Sequence, residues 1–230
     1  MNKHLLAAAI AAALLAAACS ATPAQKAAAC DTTTDEDLTS PLVFSAYEGN
    51  EQNLRCLLAA GANINETVQE GKTALMLAAF AGHTSIVQLL LDKGANVGAT
   101  ADGGNTVLMF AAKGGNTAIV QSILDKGAAV DAAGATGITA LGIAALNGRT
   151  DVVRLLLDKG ANVNATSKND RTTPLMAAAQ RGHNNIIRLL LEKGADVNAV
   201  ETDGSTALSY AEDGGHAETI TLLKAAGAKK

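Results

Sequence analysis

A repeat of about 33 residues constrains this chain more than any other feature. The stretch from Gly71 to Ala99, GKTALMLAAFAGHTSIVQLLLDKGANVGA, holds two short apolar segments between punctuation residues. Its pattern returns from Gly104 and from Gly137, each a step of 33 residues. Thr139 to Thr173 is a step of 34, one insertion in a loop, and Thr173 to Thr206 is 33 again. Self-similarity at a fixed period of this size marks a stacked array of one supersecondary unit.

Each unit reads as two short helices. Thr73 stands where a helix should begin, and its hydroxyl can accept from an orphan N–H of the first turn. Thr106, Thr139, Thr173 and Thr206 repeat the role. Pro174 follows one of them and suits the first helical position. Leu75, Ala78 and Ala79 form an i, i+3, i+4 stripe, and Gly82 ends the first helix through a left-handed residue. Thr84 opens the second helix, whose Ile86, Val87, Leu89, Leu90 and Leu91 are too apolar for a free surface. Asp92-Lys93-Gly94 closes it, lysine complementing the C-terminal dipole and glycine breaking the helix. Helices of about three turns are not stable alone, so stacking must supply the burial.

The segment from Arg171 to Ala199, with Thr173-Pro174-Leu175, Gly182-His183 and IIRLLLEKGADVNA, carries the clearest copy of the pattern. It resembles the ankyrin repeat, and the resemblance covers roughly residues 40–228. It implies an all-α solenoid of helix-turn-helix repeats joined by β-turn loops. One departure is consistent: the histidine that the family places after Thr-Pro-Leu is Met76, Met109, Gly142, Met176 or Ser209 here.

Six repeats are expected over residues 39–228, the first and last serving as caps, since terminal repeats need a polar outer face. Asn53 occupies the column of Ile86; Thr219 occupies that of Ile186 and Lys224 that of Leu191. Ser122, in the column of Leu89, reads as a weak point in packing. Residues 20–38 read as a small, polar, acidic linker. Residues 1–19 carry Lys3 and then an apolar run of about 14 residues, too short for a comfortable membrane span and expected as a secretory signal. Ala16-Ala17-Ala18 fits a small-residue cleavage site. Cys19 directly after it resembles the lipid-modified cysteine of bacterial lipoproteins, although Ala16 stands where that family usually has a larger aliphatic residue. Lipidation at Cys19, plain cleavage and an uncleaved anchor are the three readings, with lipidation the leading one. Ser20 after the cysteine implies the outer membrane by the same resemblance. A periplasmic location follows, with the membrane touched only through the lipid.

Cys30 and Cys56 then remain. Cys56 aligns with Leu89, Leu155 and Leu189, which allows a small core hydrophobe. An exported, oxidising compartment also permits a bridge to Cys30 that pins the linker to the first repeat, and that pairing is the expectation.

A formal net charge of −4 argues against nucleic acid, whose binding depends on basic contacts to phosphate. Aromatics at 2% leave no stacking platform for bases. His83, His183 and His216 share a column and would be spaced along a stack rather than converge. They are expected to hydrogen-bond each repeat's own turn. A copper site in the methionine column is disfavoured because methionine commonly fills gaps and Gly142 interrupts the ladder. No nucleophile has a base and orienter at recognisable spacing, and no phosphate-cradling loop occurs. No enzyme activity, cofactor, metal or small-molecule substrate is therefore expected.

What remains is a surface. By resemblance, such arrays bind partner proteins with loop tips and the exposed ends of the first helices. The matching positions are Tyr47, Phe80, Lys113, Leu146, Gln180 and Arg181 on helices, with Ile138, Lys168 and Arg171 on loops. Tyr47, Phe80, Ile138 and Leu146 are apolar at places expected to face solvent, where binding energy concentrates. The expected function is a non-catalytic scaffold in the bacterial periplasm that binds an unidentified protein through a concave groove. The alternative is an inhibitor or immunity-type protein that neutralises an exported enzyme or toxin.

Overall fold

The computed structural model describes residues 30–34 and 38–229. Cys19 and the predicted leader lie outside the described residues. Among the described residues are twelve α-helices in six consecutive pairs. The first helices of the pairs are α1 (Pro41–Glu48), α3 (Ala74–Ala81), α5 (Val107–Gly114), α7 (Ala140–Leu146), α9 (Pro174–Gln180) and α11 (Ala207–Asp213). The second helices are α2 (Glu51–Ala59), α4 (Thr84–Asp92), α6 (Thr117–Asp125), α8 (Thr150–Asp158), α10 (Asn184–Glu192) and α12 (Ala217–Ala225). The fold is an all-α repeat solenoid, as the period requires. No described helix is long and apolar enough to cross a membrane.

The caps form where the sequence places them. Thr73, Thr106, Thr139, Thr173 and Thr206 each accept from the N–H three residues on, at 3.2 to 3.4 Å. The N–H groups of Thr106 and Thr173 in turn meet the sulfurs of Met109 and Met176, both at 3.4 Å, and the Thr206 N–H meets Ser209 Oγ at 2.8 Å. The residues that replace the family's histidine thus still accept at the helix start in those three repeats.

The closest packing runs within repeats and between neighbouring ones. Each first helix lies against the first helices before and after it, and second helices touch their neighbours less closely. The difference is one of side-chain size. First helices bury alanines such as Ala78, Ala79, Ala111, Ala112, Ala144 and Ala145, whereas second helices bury Ile86, Leu90, Ile119, Ile123 and Leu156. Small residues let the first helices approach, so the stack closes up on their side and curves around it. Gly114 is the tightest case: a Cβ there would stand 2.5 Å from the Phe80 carbonyl oxygen on α3.

Polar contacts repeat along both edges. On the outer edge Asp92 meets Lys126 at 3.3 Å, Asp125 meets Lys159 at 3.7 Å and Asp158 meets Lys193 at 3.0 Å. The Asp-Lys-Gly helix stop therefore also links the second repeat to the third, the third to the fourth and the fourth to the fifth. On the loop edge, backbone bonds join neighbouring fingers: Ala135 donates to Gly103, Lys168 to Thr136 and Thr202 to Asp170, at 2.6, 2.7 and 3.0 Å.

The ends differ from a simple polar cap. Asn53 is not a solvated residue of the outer face. Its Oδ1 accepts from the Asp31 N–H at 2.9 Å, and its Nδ2 donates to the Asp31 carbonyl and to Ser45 Oγ, both at 2.8 Å. A carboxamide has the donor and acceptor that a peptide needs, so Asn53 clamps the incoming chain. Cys30 and Cys56 form a disulfide beside this clamp, with Cα atoms 5.7 Å apart. At the other end Thr219 is fully buried, not outward, and its hydroxyl donates to Asn184 Oδ1 at 2.7 Å. Lys224 is exposed and pairs with Glu212 at 3.3 Å. Ser122 satisfies its hydroxyl on the Ala118 carbonyl at 3.0 Å.

Gly114→Ala tests the close approach. At an unencumbered helical position alanine is the better residue by about 1 kcal/mol. Here overpacking against the Phe80 carbonyl should instead cost on the order of 2 kcal/mol in urea denaturation. A neutral or stabilising outcome would reject the account of curvature given above.

Candidate protein-binding groove

The first helices present two columns of side chains to the inside of the curve, one helical turn apart. One column is Tyr47, Phe80, Lys113, Leu146, Gln180 and Asp213, which sequence comparison between repeats identifies. The other, three residues upstream, is Phe44, Leu77, Phe110, Ile143, Ala177 and Tyr210. It was missed as a surface because it reads as core-type residues. The signal was present: positions i and i+3 share a helix face, so the column beside an exposed one must border it.

Two adjoining cavities follow these columns. The first, about 690 Å³, is lined by Tyr47, Leu77, Phe80, Met109, Phe110, Lys113, Ile143 and Leu146, with Leu38, Glu70, Lys72, Asn105 and Asn147 at its margins. The second, about 310 Å³, is lined by Ile138, Gly142, Ile143, Leu146, Met176, Ala177, Gln180 and Tyr210, with the loop residues Asn169 and Asp170. They share Ile143 and Leu146, so the groove is continuous from the first repeat to the sixth.

Of the residues singled out in the sequence, Tyr47, Phe80, Lys113, Leu146, Gln180 and Ile138 line this groove. Tyr47 and Ile138 are exposed, at 38% and 43%. Phe80 and Leu146 do not stand free in solvent; both are half-buried walls. The Lys113 ammonium lies 5.4 Å from the Phe80 ring centroid, a cation–π distance that covers the ring. Lys168, Arg171 and Arg181 are exposed but stand outside the lining of both cavities. Arg171 is held at φ 65°, at the tip of the loop that carries the insertion.

All five aromatic residues of the chain, Phe44, Tyr47, Phe80, Phe110 and Tyr210, belong to the two columns. None is among the fully buried core residues. The core is made of aliphatic side chains, and the aromatic ones are kept for the inner face.

The shared histidine column positions this face. The expectation of a bond within each repeat's own turn is incorrect. Each ring reaches the preceding repeat: His83 Nε2 donates to the Tyr47 carbonyl at 2.8 Å, His183 Nε2 to Leu146 at 3.2 Å and His216 Nε2 to Gln180 at 3.1 Å. Arg149 Nε does the same to Lys113 at 3.1 Å. The accepting carbonyls sit in the last turn of a first helix, where they lack helical partners. Groove residues are thus held by the backbone of one repeat and a side chain of the next.

At the far end Tyr210 donates to Glu201 Oε2 at 3.0 Å. Glu201 is buried, and its Oε1 has no hydrogen-bond partner among the described residues. The bond orients Tyr210 along the wall of the smaller cavity.

A family model described as "Ankyrin repeats (3 copies)" matches residues 8–101, 98–167 and 163–230. A search of the curated proteins finds no match.

Burial, the bond to Glu201 and the nearby carboxylates of Glu201, Asp203 and Asp170 all favour the neutral phenol, and push the Tyr210 pKa up to about 12. The raised value means that the contribution of this group to stability is present below the ordinary tyrosine range. It is lost as pH rises through about 12. Following tyrosinate absorbance, the wild-type chain should show a late step near the top of the range, and Tyr210→Phe should remove it. A late step that survives in the variant would place the perturbed tyrosine elsewhere.

Proposed function

The chain belongs to the ankyrin-repeat family, and from that premise we propose that it is a non-catalytic interaction protein that seats a partner protein in the groove of its first helices. Ankyrin repeats generally mediate protein–protein interaction. The observation that carries the reading for this chain is the placement of its aromatic residues. Large rings stabilise cores well, yet here four of the five, Tyr47, Phe80, Phe110 and Tyr210, line the open groove, and Phe44 stands in the same column of α1. Aromatic anchors in a concave site are where interfaces concentrate their energy. Side chains already fixed by packing and by carbonyl bonds from the next repeat lose little freedom on binding.

Within this reading Tyr47, Phe80, Leu146 and Ile138 are the apolar anchors. Lys113 and Gln180 supply the polar contacts inside the groove. Lys168, Arg171 and Arg181 form its rim. The setting is the bacterial periplasm, with the chain exported by residues 1–19 and held at the outer membrane by a lipid on Cys19. Residues 20–38 are the tether and 39–228 the six-repeat binding domain. Support for the compartment comes from the leader pattern and from the Cys30–Cys56 disulfide, a bond that persists in oxidising compartments.

Two experiments test this. Phe80→Ala and Leu146→Asp should each reduce capture of the partner from cell-envelope extracts by roughly 30-fold, the scale of a hot-spot residue, with the helical circular dichroism retained. Undiminished capture by both folded variants would reject the groove. A captured enzyme that is silenced in the complex would instead identify an inhibitor. The N-terminal peptide of protein purified from membranes should begin at Cys19 and carry acyl mass; a chain beginning at Met1 would overturn the export reading.

A further inference from the structure

The floor of the groove is missing a side chain at one place. A column of first-helix positions reads Met76, Met109, Gly142, Met176 and Ser209. The three methionines are at most 2% exposed and fill the layer between neighbouring first helices. At Gly142 that layer is absent, and the cavity of about 310 Å³ opens there. Ala177 enlarges it, standing in a column otherwise occupied by Phe44, Leu77, Phe110, Ile143 and Tyr210.

Nothing in the local structure requires glycine at this position. A Cβ on Gly142 would meet Ile138 Cγ2 at 3.7 Å and Thr139 Oγ1 at 4.0 Å, which are ordinary contacts. The residue lies inside α7, where glycine weakens a helix relative to alanine. Gly114 is different, because a neighbouring carbonyl excludes any side chain. The glycine at 142 therefore costs stability and yields only open space in the groove.

We infer that this cavity is the anchor seat of the groove. It takes one leucine-sized or phenylalanine-sized side chain from a partner segment that places a carboxylate toward Lys113 and a cation toward Asp170. The inference rests on the protein-binding reading above and names the chemistry of the segment. The size fits: about 310 Å³ is at the bottom of the range of cavities that hold small ligands, roughly 300–1,000 Å³, and suits a single side chain. The lining fits, since its exposed surface is mostly apolar: Ile138, Ile143, Met176, Ala177 and the ring of Tyr210 contribute to it, with threonines and Ser167 of the loops at its margin. The charges fit as well. In the larger cavity Glu70 and Lys72 neutralise each other at 2.7 Å, whereas Lys113 lies over an aromatic ring rather than against a carboxylate. In the smaller cavity Asp170 is the charged lining residue, and Asp203 stands on the next finger. An apolar anchor between opposite charges gives affinity from the seat and direction from its flanks.

The probe is the capped heptapeptide Asp-Gly-Ser-Leu-Ser-Gly-Lys, titrated into the isotope-labelled full chain and read by amide shifts in nuclear magnetic resonance. Saturable shifts are expected at Gly142, Ala177 and Tyr210, with a dissociation constant on the order of 1 mM for so small a ligand. Alanine in place of the leucine should weaken binding at least tenfold, on the order of what burying a large side chain contributes. Asparagine in place of the aspartate should weaken it about threefold, and Lys113→Gln should remove that difference. Gly142→Met, which restores the column, should abolish the shifts and raise the melting temperature by about 3 °C. Absent shifts with the leucine peptide, equal binding of the alanine peptide, or undiminished binding to Gly142→Met would overturn the seat. A lower melting temperature for Gly142→Met would overturn the claim that the glycine serves only to make space. Because the probe needs no natural partner, its failure alone rejects the seat, while failure of partner capture alone rejects the wider reading.

Discussion

Burial across the boundary between repeats is the constraint on which everything else depends. Helices of seven to nine residues cannot hold their shape in water. Each is kept by what its neighbours press against it. Leu108, Leu141 and Leu175 are at most 1% exposed because a helix from another repeat covers them. Alanine on the first helices and leucine or isoleucine on the second set unequal spacings on the two sides of the stack. Curvature is thus a property of side-chain volume summed over repeats. The groove is the inner surface of that curve.

The polar contacts decide register more than stability. The Asp–Lys pairs along the outer edge are exposed, and such pairs contribute little individually. What they do is match one repeat's helix stop to the next one's. The ladder runs out where the pattern does, since Ala59 and Ala226 stand where an aspartate or a lysine would be needed. The histidine and arginine bonds act differently, because they satisfy carbonyls that would otherwise lack partners at a helix end. These bonds fall on the carbonyls of Tyr47, Lys113, Leu146 and Gln180, the residues that line the groove. Ordering of the inner face and coupling between repeats are therefore one set of interactions.

Much of this was legible from spacing. Period, helix ends, threonine caps and the left-handed Gly82 all follow from local chemistry that one residue type satisfies best. The aliphatic core of the second helices follows from their apolarity. What spacing could not show was which partner a polar side chain would choose. The histidines sit in a turn, and a bond within that turn was the economical assumption; the ring instead spans the boundary to the previous repeat. Asn53 looked like a solvent-facing cap because its column is otherwise aliphatic, yet it pairs with a peptide 22 residues away. Leu77, Phe110, Ile143 and Tyr210 were hidden for the opposite reason, since residues of this kind are as common in a core as beside one.

The inner face and the core draw on the same residues and ask opposite things of them. A column of methionine fills space between first helices, and continuing it through position 142 would have made a more uniform stack. Aromatic rings moved into the core would have buried more surface than the alanines they would replace. The chain does neither. It leaves Gly142 and Ala177 small in the middle of the groove and spreads its few rings along the walls, where their faces remain partly wet. On the inner face the fold is set by what the repeats share and recognition by where they depart. The departures that concern binding are then those that lower stability without relieving a clash, and by that criterion Gly142 stands apart from Gly114, whose neighbour leaves it no alternative.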